Sequence, residues 1–279
     1  MKRYIIGIIT LLAGLVVQAQ VTYTTTDSIT ICRLLKEAPR KASTLWFARQ
    51  FHGIPYVAHT LEVNDNEQLV VNTRQLDCTT LVETVTALTI CVQQEKRRWA
   101  DYLRTLRTLR YRQGVMDGYT SRLHYFTDWI DDKQLMGIVS EIQGPNPPFT
   151  ALQKVQVSYM SQHPQSYKAL KANAALVPVI KRQEQALTGK TYRYIPKQAI
   201  RNTQLLRQTI KDGDIIAITC NKKGLDIAHL GFAVWQKDGL HLLNASSIHH
   251  KVVTEPLTIR QYLQKHSTFT GVRIIRIKD

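Results

Sequence analysis

The stretch that most constrains this chain is Leu76 to Val92, LDCTTLVETVTALTICV. Leu81, Val85, Leu88 and Val92 recur at one-face helical spacing, and Cys78 stands three residues before Leu81 on the same stripe. The spacing predicts a buried helix with a cysteine pointing inward from its first turn. Unpaired N–H groups and a partial positive charge at a helix start favour thiolate over thiol, so such a cysteine can be a nucleophile. The same position also suits a small core hydrophobe, since cysteine is among the most buried residue types. Asp77 can cap the helix, and Thr80 with Glu83 fits a capping box, so two starting points are open.

The chain ahead of this stretch opens with MKRYIIGIITLLAGLVVQAQ. Lys2 and Arg3 form a basic start, Tyr4 to Val17 an apolar run too short to span a bilayer, and Val17-Gln18-Ala19 a small-residue cleavage site. Residues 1–19 therefore read as a signal peptide, and the mature protein is expected outside the cytoplasm, in the periplasm, with no stable membrane anchor. The formal charge of +16 falls by two when Lys2 and Arg3 leave with the leader. Export argues against a nucleic-acid partner, and the basic balance suits anionic envelope polymers or substrates with several carboxylates. The densest basic segment, Lys96 to Arg112, interleaves Leu103, Leu106 and Leu109, as the solvated face of an amphipathic helix does. Cys32, Cys78, Cys91 and Cys220 contain no CxxC pair, which gives no zinc-site or disulfide-scaffold pattern.

Helical pieces are predicted on either side of Pro39, then near Trp99 to Arg112, Arg122 to Met136, Ser158 to Ala175 and Pro178 to Leu187. From Tyr192 the texture changes to short β-type runs at 192–195, 214–219, 228–235, 240–245 and 272–277, with one helix near Ile259 to His266. Helices followed by a mostly antiparallel sheet argue for an α+β fold. One domain is expected over residues 20–279, with a helical insertion at about 99–188.

A thiolate nucleophile needs a base and a group to orient it. In Asp226 to Trp235, DIAHLGFAVW, a strand places His229, Gly231 and Ala233 on one face and Ala228, Leu230, Phe232 and Val234 on the other. The small residues beside His229 leave room for another layer, as an imidazole reaching a helix-borne thiol would need. If Gln236 to Gly239 form a four-residue loop, Trp235 pairs with Leu240 and Asn244 falls on the His229 face, able to accept from the ring. A three-residue loop would turn Asn244 away. His241, His249 and His250 read as surface or edge residues.

Four blocks, Gly53-Ile54-Pro55-Tyr56, Asp77-Cys78-Thr79-Thr80-Leu81, Ala228-His229-Leu230-Gly231 and Leu243-Asn244-Ala245-Ser246, resemble in that order the motifs of the NlpC-type cell-wall cysteine peptidases. The Leu-Asp-Cys-Thr-Thr block and Thr120 to Phe126 look like the branch of N-acetylmuramoyl-L-alanine amidases. The resemblance implies a papain-like cysteine hydrolase fold, with Cys78 as nucleophile, His229 as base and Asn244 as orienting residue. It further implies Tyr56, Asp77, Thr79, Arg122 and His124 as substrate contacts, a peptidoglycan or muropeptide substrate, and chemistry without a cofactor or metal. The sequence departs from many relatives in having Thr79-Thr80 where they carry Ser-Gly, and Asn244 where they carry a third histidine. Cleavage between D-glutamate and the diamino acid of the stem peptide is the nearest alternative activity, and a non-catalytic basic envelope-binding protein is an alternative of another class.

Overall fold

The computed structural model describes residues 21–144 and 147–278, so the leader read at 1–19 lies outside the described residues. Its first strands and helices are β1 (Val21–Thr22), α1 (Thr25–Glu37), α2 (Thr44–Arg49), β2 (Leu69–Val70), α3 (Cys78–Gln93), α4 (Trp99–Arg110) and α5 (Phe126–Leu135). There follow β3 (Val139–Ile142), β4 (Ala151–Lys154), α6 (Tyr159–Gln162), α7 (Lys168–Ala172), α8 (Val177–Leu187) and β5 (Thr191–Pro196). The chain closes with α9 (Gln204–Thr209), β6 (Ile215–Cys220), β7 (Ile227–Trp235), β8 (Leu240–Ser246), β9 (Lys251–Thr254), α10 (Ile259–Gln264) and β10 (Phe269–Ile277).

Asp77 decides where α3 begins. Its carboxylate accepts from the Thr80 N–H at 2.8 Å while Thr80 Oγ1 accepts from the Asp77 N–H at 2.9 Å, so the box closes one turn earlier than Thr80 with Glu83 would allow. The predicted one-sided stripe is an underestimate. Every residue from Thr80 to Val92 is buried, including Glu83, Thr84, Thr86 and Thr89, because α3 is covered on all sides by α1, α2, α4 and the sheet.

The main sheet runs β4-β5-β10-β6-β7-β8-β9, with β3 also paired to β10 and each of these pairings antiparallel. Its strands alternate as expected. Ala217, Leu230, Phe232, Val234 and Leu243 pack against the helices around α3, whereas Ile216, Ile218, Ala233 and Leu242 pack against Ile259, Tyr262 and Leu263 of α10. Large apolar side chains buried on both faces contribute roughly 1.5–3 kcal/mol each, which holds β7 between two layers.

The 99–188 segment is less helical than predicted. α4 belongs to the main core, and β3 and β4 join the main sheet. The single helix predicted over Ser158 to Ala175 is broken at Pro164 into α6 and α7, since proline supplies no N–H and restricts the residue before it. Tyr125, Val157, Met160, Leu170, Ile180 and Leu187 form a third, smaller core here. The basic run is divided: Arg98 and Arg104 hold Asp101 from the expected solvated face, Arg112 holds Asp128, and Arg110 is buried against Glu83.

Candidate active site

Cys78 is the first helical residue of α3 and is half-buried beside β7. Hydrogen bonding from the Leu230 backbone and from the Thr79 backbone and side chain favours the thiolate. It does not leave a thiolate at rest. Burial, with the Asp77 carboxylate adding to it, pushes the Cys78 thiol up to about 12, so desolvation outweighs the lowering expected from a helix start.

The β7–β8 hairpin has the four-residue loop: Trp235 pairs with Leu240 and Phe232 with Leu243. This register puts Asn244 on the face of His229, and His229 Nε2 lies 2.8 Å from Asn244 Oδ1. Burial pulls the His229 pKa below that of a free imidazole, partly opposed by the bond to Asn244. Cys78, Thr79, His124, His229 and Leu230 line one cavity of about 160 Å³.

The route by which thiol and imidazole come to share that cavity differs from expectation. The layer on the small-residue face of β7 is α10, while α3 packs on the Leu230, Phe232 and Val234 face. Cys78 packs on the core cluster that contains Leu230, and Leu230, beside His229 in the first half of β7, lines the same cavity as both. Gly231 is required here, since a Cβ on it would lie 2.6 Å from the Leu243 carbonyl oxygen.

The remaining predicted residues separate. Asp77 is engaged in capping, and Thr79 lies in the cavity against the sulfur. Tyr56 bridges to Leu76, just before the helix; burial, with the Asp77 carboxylate adding to it, pushes its phenol up. Arg122 is not in the cavity. It is buried in a bidentate pair with Glu67 at 3.0 and 2.6 Å and lies over the Tyr119 ring, on an extended turn before α5 instead of a helix face. His124 does line the cavity, and its Nε2–H donates to the Tyr119 carbonyl at 3.0 Å. Of the three histidines read as surface or edge residues, His249 and His250 are exposed and His241 is not. His241 is buried between Asp238 and the Glu255 carbonyl, and His249 contacts the Glu255 carboxylate.

Burial, aided by Arg122, holds the His124 pKa down at about 3, which makes acid stability a test of its placement. Below pH 6.5 the unfolded chain binds a proton that the folded protein refuses, so stability falls as pH drops from 6.5 toward 3. Discounted for the open side of the cavity, this costs on the order of 2–3 kcal/mol by pH 4. Urea unfolding at pH 7 and pH 4 should show wild type losing that much more than His124→Gln; equal losses would mean that the ring is solvated.

Residues 46–271 match the family model described as AmiA-like, N-acetylmuramoyl-L-alanine amidase-like. The chain belongs to this AmiA-like family. A crystal structure of an N-acetylmuramoyl-L-alanine amidase from Bacteroides uniformis is 39% identical with a TM-score of 0.79, covering 86% of this chain and 99% of that one. A Bacteroides fragilis structure given the provisional name of a xylanase is 42% identical with a TM-score of 0.77, covering 83% and 99%. A Legionella pneumophila structure at 21% identity and a TM-score of 0.68, covering 91% and 95%, shares the fold. No curated protein sequence matches the chain. The fold of the family is thus α+β, with N-terminal helices and a mostly antiparallel sheet.

One residue of this site escaped the sequence reading. Glu255 is 2% exposed and bonds Asn244 Nδ2 at 3.0 Å. It stands in a Thr254-Glu255-Pro256 turn with no motif around it; its one visible signal was a lone acid directly after an apolar strand.

Proposed function

We propose that this protein is an exported cysteine amidase, papain-like in its catalytic arrangement, that hydrolyses the amide between N-acetylmuramic acid and L-alanine in peptidoglycan or its fragments. The observation that carries the reading is the one cavity lined by both Cys78 and His229, with Asn244 Oδ1 2.8 Å from His229 Nε2. The amidase named among the relatives supports the bond assignment, and residues 1–19 support export. A glycosidase needs two facing carboxyl groups. Asp226 is the single acid among the described residues lining this cavity, and it is buried and accepts from the Thr127 N–H.

Because burial disfavours both the thiolate and the imidazolium, the resting pair is neutral. His229 takes the thiol proton as sulfur attacks the lactyl carbonyl, through the ring nitrogen that Asn244 does not occupy. The Cys78 backbone N–H, at the start of α3, steadies the oxyanion. The tetrahedral adduct collapses when His229 gives its proton to the departing L-alanine nitrogen, leaving a thioester. Water then attacks as His229 accepts its proton, the C–S bond breaks, and the proton returns to sulfur as the lactyl carboxylic acid leaves. No step calls for a metal or organic cofactor.

The test is to incubate the protein with muropeptides and weigh the products. Free muramyl sugar and an intact stem peptide are expected. A muramyl-L-alanyl-D-glutamate fragment, together with a released peptide that begins at the diamino acid, would replace the reading with stem-peptide cleavage, and absence of turnover would leave an envelope-binding protein. The pH dependence is a second check. Activity requires neutral His229, so kcat/KM should be flat at neutral pH and fall only as pH drops through a midpoint below 6.5. A midpoint above 6.5 would mean that a charged pair operates.

A further inference from the structure

We infer that Glu255 is a positioning residue that decides which nitrogen of His229 is the base, by locking the carboxamide of Asn244 in one orientation. What that base then does rests on the amidase reading; the orientation does not.

Glu255 is held at several points. Its backbone N–H donates to the Leu242 carbonyl at 2.8 Å, its own carbonyl accepts from His241 Nδ1 at 2.8 Å, and its Oε2 lies 3.1 Å from His249 Nε2. The remaining oxygen, Oε1, lies 3.0 Å from one terminal atom of the Asn244 amide, which is itself fully buried. A carboxylate only accepts, so that amide atom must be the NH₂. The Leu242 carbonyl, 3.4 Å from the same atom, makes the same demand more weakly. The amide oxygen is therefore the atom 2.8 Å from His229 Nε2, and an oxygen there can only accept. Nε2 carries the proton and Nδ1 the lone pair.

With no acceptor at position 255, only the long contact to Leu242 opposes a flipped amide. A flipped amide would present NH₂ to Nε2 and move the ring proton to Nδ1, converting the base nitrogen into a donor. In the wild type that flip would set the amide oxygen against two acceptors, a buried mismatch worth about 1–3 kcal/mol. The asparagine by itself does not fix the tautomer; the acid behind it does.

The experiment compares Glu255→Gln with Glu255→Met, reading the His229 tautomer by ¹⁵N spectroscopy without substrate and kcat and KM on muropeptide. In Glu255→Gln the new side chain can still accept from Asn244 through its amide oxygen while its NH₂ faces His249, so the Nε2–H signature and kcat should stay within about threefold of wild type. The thioether of Glu255→Met fills the space without a comparable acceptor. That variant should mix the tautomers and lower kcat on the order of 10- to 100-fold with KM little changed, as loss of an orienting partner does elsewhere. Glu255→Met with the wild-type signature and kcat, or Glu255→Gln as impaired as Glu255→Met, would overturn the inference.

Should Glu255→Met fail to fold, Asn244→Asp supplies the same test. Two carboxylates then face each other, and adding Glu255→Gln restores a donor between them. The double variant should recover at least about fivefold in kcat over Asn244→Asp alone, and no recovery overturns the inference. A wild-type protein with the Nε2–H signature and no muropeptide cleavage would sink the amidase reading and leave the positioning role intact.

Discussion

Cys78→Ala is expected to lower muropeptide turnover by at least about 10⁴-fold while leaving the fold unchanged. The size follows from the roles proposed. Without sulfur there is no thioester, and what remains is the rate with which His229 and the helix-start N–H can direct water at the lactyl carbonyl. The fold should tolerate the change, because alanine suits the first turn of α3 and the half-buried thiol fills little space. Thermal melting should therefore shift by no more than a few degrees. Turnover within tenfold of wild type in a purified, folded Cys78→Ala sample would remove Cys78 from the chemistry and the cysteine mechanism with it. Cys78→Ser is the finer probe. A neutral thiol deprotonated during attack by His229 predicts measurable residual activity for a hydroxyl in the same place, since the base is retained. A preformed thiolate would predict none.

The features legible beforehand are those with short-range rules behind them. The apolar period of 76–92 identified α3 and alternation in 226–235 identified β7, while the register that brings Asn244 to His229 stayed open between a three- and a four-residue loop until the β7–β8 pairing fixed it. The features that were not legible depend on partners distant in the chain. β3 and β4 are four residues each and are recognisable only through their pairing with β10 and β5. Arg122 reads as a free cation until Glu67, fifty-five residues earlier, claims it. The threonines of α3 are polar side chains, yet are buried because helices and the sheet enclose α3 on every side. The thiol shows the same limit in electrostatic form. Helix position is visible in sequence, whereas the desolvation that outweighs it is a property of the assembled cavity.

The same enclosure makes Arg110→Met the most destabilising change expected. Arg110 and Glu83 are 3% and 1% exposed at their side chains, with Arg110 Nε donating to Glu83 Oε2 at 2.7 Å and Nη1 to the Val70 carbonyl at 2.6 Å. They tie α4 to the helix that carries Cys78. Methionine removes the charge and both bonds, leaving Glu83 an unpaired buried acid at a cost of about 3–5 kcal/mol. The sign of the pH dependence identifies the cause. Burial already pushes the Glu83 carboxyl up, and without Arg110 its folded pKa rises further above the unfolded value. The folded variant then binds a proton more tightly than the unfolded chain, so its deficit relative to wild type is smallest in acid and grows as pH rises through the folded pKa. Urea unfolding at pH 5 and pH 8 should show the larger deficit at pH 8. Pairing Arg110→Met with Glu83→Leu should return most of the loss, because an apolar pair of similar volume carries no desolvation penalty. A deficit that is independent of pH and not relieved by Glu83→Leu would mean that the guanidinium acts through packing alone.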